Sequence, residues 1–172
     1  MDEKDKYSGL AVLVIDMQPL YLSKLDTNTR LALDKNQLEV VSYYARRNVP
    51  VFGVEMDEQR RTIPMLRRYF SRLPIRKEYR DGFHFTNLKE KLKREQCTDI
   101  VMMGLFRSEC VAATMEGARL GGFQIYTANS LIADNPSNVE RVTDDELRSL
   151  CSLSADTKEL FSAVEMRKKV KE

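Results

Sequence analysis

Three side chains of complementary chemistry recur in one kind of setting. Asp16 lies in AVLVIDMQ (11–18), Lys77 in KEYRDGF (77–83) and Cys110 in GLFRSECVAAT (104–114). Each is expected at or just past the end of a strand. A carboxylate, an ammonium and a thiol are the parts needed to make and use a thiolate. The carboxylate takes the proton and returns it to a leaving group, the ammonium balances the charge and the sulfur attacks. Cys110 is expected in the first turn of a helix capped by Ser108, where unpaired N–H groups and the helix dipole favour an anion and lower a thiol pKa. Cys97 and Cys151 read instead as small buried hydrophobes, the usual state of an intracellular cysteine. Asp16 also suits a turn after a strand. Lys77 sits among the Arg and Lys residues of 60–80, most of which suit a solvated face.

The elements that must position these groups follow from periodicity. Leu10 to Ile15 is a continuous apolar run, the pattern of a strand buried on both faces. A helix is expected from about Arg30 to Arg47, with Leu31, Leu38, Val41 and Ala45 inward and Asn48 and Pro50 as stops. Val49 to Val54 reads as the next strand. Ile63, Leu66, Phe70 and Leu73 mark a second amphipathic helix. Lys77 then falls in an irregular stretch after Pro74. Thr86 is expected to cap a helix carrying Leu88 and Leu92. Asp99 to Met103 is a strand closed by Gly104. The Ser108 helix runs to Leu120 with Val111, Ala112, Met115 and Ala118 inward, and Gly121-Gly122 ends it. Phe123 to Thr127 is a further strand, with helical stretches near 139–151 and 155–169. Strand–helix alternation predicts an α/β fold: a three-layer α/β/α sandwich around a mainly parallel, doubly wound sheet, in one domain spanning 1–172. Ligands of such sheets lie beyond the carboxyl ends of the strands, where Asp16 and the Gly104 loop fall.

Composition narrows the class. A chain of 172 residues, 42% of them apolar, is long enough for one good core. Its net charge of +2 is too small to imply wholesale binding to nucleic acid or membrane. Three cysteines at irregular spacing read as reduced thiols, and hence as a cytoplasmic protein. MDEKDKYSG has no apolar run of the signal-peptide kind. No apolar run approaches the ~20 residues of a membrane span.

The three motifs together resemble the isochorismatase-like cysteine hydrolases, over residues 77–134 and again at 10–18. In that family a first strand like VIDMQ ends in a catalytic Asp, matched by Asp16. A Lys followed shortly by an acidic or small pair and Phe matches Lys77 with Asp81-Gly82-Phe83. The nucleophile in G-x-x-x-x-x-C-V matches Gly104 through Val111, with Thr114, Ala118 and Gly122 repeating the downstream spacing. The resemblance implies a catalytic triad of Asp16, Lys77 and Cys110, and a non-proline cis peptide between Leu105 and Phe106. It also implies an oxyanion hole from the backbone N–H groups of Phe106 and Cys110. Gln18, Phe83 and Arg107 become candidates for substrate contact, and self-association is expected. The implied activity is hydrolysis of a C–N bond in a small amide. The vinyl-ether branch of the family resembles this chain but lacks the cysteine.

The departures also inform. Nicotinamidases of the family hold a metal through an Asp-x-His pair and a further His. The equivalent stretch here, Val54-Glu55-Met56-Asp57-Glu58-Gln59, has no His, and His84 is the chain's only one. The expectation is therefore no metal and no other cofactor. QPLYL after Asp16 replaces a more usual Gln-Asn-Asp-Phe, and Arg107-Ser108-Glu109 replaces a Thr-bearing segment. An alternative remains: a catalytically weak homologue serving as an interaction module through Arg60, Arg61, Arg67, Arg68, Arg72, Arg76 and Arg80. RNA is the weaker partner for such a module, since stacking aromatics and a known module are not evident in the sequence.

Overall fold

A computed structural model of the chain describes residues 6–56 and 60–167. The strands are β1 (Leu10–Ile15), β2 (Val51–Met56), β3 (Ile75–Lys77), β4 (Asp99–Leu105), β5 (Gln124–Ala128), β6 (Ile132–Ala133) and β7 (Ser152–Ser154). They form one sheet in the order β3-β2-β1-β4-β5-β7, with β6 paired to β4, and the pairings are parallel. The helices are α1 (Pro19–Leu22), α2 (Thr27–Ala45), α3 (Pro64–Arg67), α4 (Leu88–Arg94), α5 (Ala112–Leu120), α6 (Asp144–Arg148) and α7 (Thr157–Met166).

β1 shows why the sheet lies at the centre. Its six residues are buried, alternating between two cores. Leu10, Val12 and Val14 face the layer of α2 and α7, where Val40, Val41, Tyr44, Leu160 and Val164 pack. Ala11, Leu13 and Ile15 face the layer of α4 and α5, with Leu88, Leu92, Met115 and Ala118. Burying each large aliphatic side chain stabilises by about 1.5–3 kcal/mol, so a strand apolar on both faces is held from both sides. The expected three-layer α/β/α architecture is the one observed.

Several local expectations change. Asp26 caps α2 by accepting from Asn28 and Thr29 N–H, so the helix starts earlier than Arg30. Its buried face is Leu33, Gln37, Val40, Val41 and Tyr44, while Leu31 is 62% exposed. The expected 63–73 helix is one turn, α3. Phe70 packs against Gly53, where a Cβ would run into the ring. Ser71 N–H then bonds to Val51 O at 2.9 Å, turning the chain onto the sheet edge and leaving Leu73 81% exposed. Lys77 is consequently the last residue of a strand, β3, and not part of an irregular stretch. Asn87, not Thr86, occupies the cap position of α4, although Thr86 Oγ1 accepts from Leu88 N–H at 3.3 Å. α6 and α7 are shorter than the stretches expected at 139–151 and 155–169, the last two residues of the latter lying outside the described residues. β6 and β7 have two and three residues, too few to show a periodicity.

Candidate active site

Asp16 leaves β1 with φ of 51°, a left-handed conformation that turns the chain sharply at the carboxyl edge. Its N–H bonds to Val54 O of β2 at 2.9 Å, which fixes it to the sheet. Next to it Gly104 of β4 has φ of 141°, and a Cβ there would run into the Ile15 carbonyl. Glycine is therefore required for β4 to pass this close to β1. β4 then ends in a cis peptide between Leu105 and Phe106, at the bond the sequence resemblance implied.

Lys77 reaches the same point from the sheet edge. Its Nζ lies 2.8 Å from Asp16 Oδ2, with the side chains 0% and 2% exposed. Directed hydrogen bonds run from Nζ to Tyr79 O at 3.2 Å and Arg80 O at 3.4 Å, and Met56 Sδ lies at 3.2 Å. The buried carboxylate is thus held chiefly by the Lys77 ammonium. Burial pushes Asp16 above the usual carboxylate range, opposed by Lys77, Cys110 and the Met56 backbone. The Cys110 thiol completes the group, within hydrogen-bonding range of Asp16 and Lys77.

The thiol differs from expectation in two respects. Cys110 lies in a π-helical turn, Arg107–Val111, that leads into α5, and Ser108 does not cap it. Ser108 instead donates through N–H and Oγ to Asp134, at 3.0 and 2.6 Å, and its Oγ accepts from Val142 N–H at 2.8 Å. Burial, then the neighbouring Asp16 carboxylate, pushes the Cys110 thiol up to about 12, against the lowering effect of Lys77. The expected low thiol pKa is therefore corrected: burial and Asp16 outweigh the ammonium. Cys97 and Cys151 are buried and likewise raised, to about 12 and about 11.

A strap over 78–86 holds this arrangement together. Thr114 of α5 donates to Cys110 O at 2.6 Å and accepts from Gly82 N–H at 3.0 Å. Asp81 accepts from Phe83 N–H at 2.8 Å and rests over Gly117, where a Cβ would displace its carboxylate. The spacing of Thr114 in the Cys110 motif thus has a physical role: one hydroxyl ties the Cys110 turn to the segment following Lys77.

The three candidates for substrate contact have structural partners. Gln18 is fully buried; its amide donates to Met56 O and Arg60 O and accepts from Met56 N–H, anchoring the end of β2. Phe83 packs against the core beside Phe123, with ring centroids 5.7 Å apart. Arg107 is turned to Asp144 (2.7 Å) and Asn129 (3.2 Å), so its guanidinium braces the loop before α6. Sequence reasoning missed the wall that does border the site. The Tyr21 hydroxyl, in α1, is pushed up to about 12 by burial and by Asp16, Cys110 and Glu109. Tyr21 meets Phe106 edge-on at 5.9 Å, and Lys24 Nζ lies 5.6 Å from the Phe106 centroid. Its only signal was the segment QPLYL, in which Tyr21 stands at the Phe of the more usual Gln-Asn-Asp-Phe.

Among the described residues no cluster of three or more His, Cys, Asp or Glu is arranged to hold a metal. Asp57, Glu58 and Gln59, part of the stretch compared with the nicotinamidase metal site, lie outside the described residues. No helix among the described residues is long and apolar enough to cross a membrane.

Comparison with known proteins places the chain in a family. No curated protein matches the chain. Solved structures do: an isochorismatase family protein from Burkholderia thailandensis is 17% identical with a TM-score of 0.74, over 92% of this chain and 96% of that one. N-carbamoylsarcosine amidase from Thermoplasma acidophilum is 17% identical (TM-score 0.69, 85% and 95% covered). A cysteine hydrolase from Pseudomonas syringae pv. phaseolicola 1448A is 14% identical (TM-score 0.69, 96% and 94% covered). These likenesses concern the fold. The Isochorismatase domain model matches residues 10–148, from the start of β1 to the end of α6, and the chain belongs to that family.

Proposed function

We propose that this protein is a cysteine hydrolase that cleaves a C–N bond in a small amide or ureido compound. The observation that carries the reading is the Asp16 carboxylate: 2% exposed, 2.8 Å from the Lys77 ammonium and beside the half-buried thiol. A buried acceptor beside a thiol is the arrangement a general base requires. Two of the similar folds, an N-carbamoylsarcosine amidase and a cysteine hydrolase, add support at the level of reaction class.

In the proposed sequence Asp16 takes the Cys110 proton as sulfur attacks the carbonyl carbon. The oxyanion is met by the backbone N–H groups of Phe106 and Cys110, preorganised donors of a kind whose loss costs about 2.7–4 kcal/mol of barrier. The C–N bond breaks, the leaving nitrogen takes the proton from Asp16, and an acyl thioester remains on Cys110. Water then attacks the thioester with Asp16 as base, releasing the acid and restoring the thiol. Lys77 compensates the negative charge that moves between Asp16 and sulfur. A resting thiol with a pKa of about 12 suits this cycle, because the proton leaves only when the carbonyl arrives.

The test is a screen of small amides and ureido compounds with wild type and Cys110→Ala in parallel. Wild-type release of ammonia or amine, absent in the variant, is expected. Equal, background-level release from both on every compound contradicts the proposal.

A further inference from the structure

The charge of this molecule is segregated, and the structure gathers it at one edge. Residues 60–95 hold twelve Lys and Arg against four Asp and Glu, a balance of +8 in a chain whose total is +2. They include the outer strand β3 and the helices that precede and follow it in sequence, α3 and α4. Two recesses lie along this edge. The one at the amino end of β3, ≈ 270 Å³, brings Arg72, Lys91 and Arg94 together with Leu73, Phe52 and Glu95; Arg72 also pairs with Glu95 at 2.8 Å.

The other, ≈ 370 Å³, lies at the carboxyl end and is lined by Arg76, Lys77, Glu78, Tyr79, His84 and Phe85. Its three rings form a cluster. Tyr79 and His84 are perpendicular with centroids 4.8 Å apart, and His84 and Phe85 are 4.1 Å apart. Phe85 is 85% exposed, on a backbone with φ of 51°, and Tyr79 is 49% exposed. An exposed ring platform beside a concentration of cations is what a polyanion with planar side groups requires. Charge alone would suit an acidic peptide as well; the rings favour a nucleic acid strand.

We propose that the β3 edge is a docking surface for single-stranded nucleic acid. Bases stack on Tyr79, His84 and Phe85, while phosphates meet Arg72, Lys91 and Arg94. The sequence did not reveal this platform, because Tyr79 and the His84-Phe85 pair are separated by the Asp81-Gly82 turn that brings them together. The ring recess adjoins the proposed hydrolase site through Lys77, but Cys110 does not line it, so Cys110→Ala leaves the docking surface intact.

The test is fluorescence anisotropy of a labelled twelve-residue oligouridylate, compared with a labelled twelve-residue polyglutamate. The oligonucleotide is expected to bind the full chain, with a slope of log affinity against log salt of about −2 or steeper, as three or more phosphate contacts give. Tyr79→Ala/Phe85→Ala is expected to weaken it by at least about fivefold, the lower end of base–aromatic stacking. Lys91→Glu/Arg94→Glu is expected to weaken it and flatten the salt slope. Circular dichroism identifies any variant that fails to fold, and the comparison of the two wild-type ligands does not depend on variants. Absence of oligonucleotide binding at low salt overturns the proposal. So does equal affinity for polyglutamate, which makes the surface one for acidic peptides, and so does a folded ring variant that binds like wild type.

Discussion

Cys110 is half-buried, its neighbours are a carboxylate and an ammonium, and burial with Asp16 keeps its proton on. Its alkylation by iodoacetamide should therefore rise about tenfold per pH unit from pH 7 to 10, following the thiolate fraction below a pKa of about 12. A plateau beginning near pH 6 would show a preformed thiolate instead. Cys97 and Cys151 should react more slowly throughout because both are buried. Lys77→Ala removes the one neighbour that lowers the thiol pKa, so Cys110 alkylation at any fixed pH should fall. The same substitution leaves Asp16 buried without its partner and should cost about 3–5 kcal/mol in denaturant melts. Asp16→Asn fills the same space but cannot take the proton, so it should lose turnover while keeping the fold. The types and order of these three residues were legible in the sequence. The direction of the thiol pKa was not, because it depends on how deeply the site is buried, and a helix-start position argues the other way.

Elements explain why the site is where it is. β1 and β4 announce themselves as continuous apolar runs, and a parallel sheet delivers their carboxyl ends to one edge. β3 was hidden: three residues, one of them an arginine, look like part of a basic loop, and only pairing with β2 makes them a strand. Gln18 and Arg107 were equally opaque, since a polar side chain near a site reads the same whether it meets substrate or braces a loop. The strap over 78–86 gives a test at this scale. Thr114→Val removes the hydroxyl that serves both Cys110 O and Gly82 N–H. Leaving that buried N–H without a partner should cost about 1–3 kcal/mol. If the strap positions Lys77, the pH profile of Cys110 alkylation should move with it; a stability loss with an unchanged profile would make Thr114 purely structural.

At the scale of the whole molecule, folding and titration are linked. Cys97, Cys110 and Cys151 all have folded pKa values of about 11 to 12, above the ordinary thiol value of about 8.5. The folded state therefore holds thiol protons that the unfolded chain gives up. Stability from this source is fully present below about pH 8.5 and is lost as pH rises towards the folded values. Urea midpoints should fall steadily above pH 9, and Cys110→Ala should fall less steeply. The sequence also reads as needing no metal, so a chelator should leave both the melt and any turnover unchanged. The central claim is that the assembled edge makes Cys110 a nucleophile towards an amide carbonyl. Acid quench of wild type during turnover of an amide found in the screen, followed by peptide mass mapping, tests it directly. The account predicts the acyl mass on the Cys110 peptide, absent from Cys97 and Cys151 and absent in Cys110→Ala. Turnover with no adduct on Cys110, retained in Cys110→Ala, would contradict it.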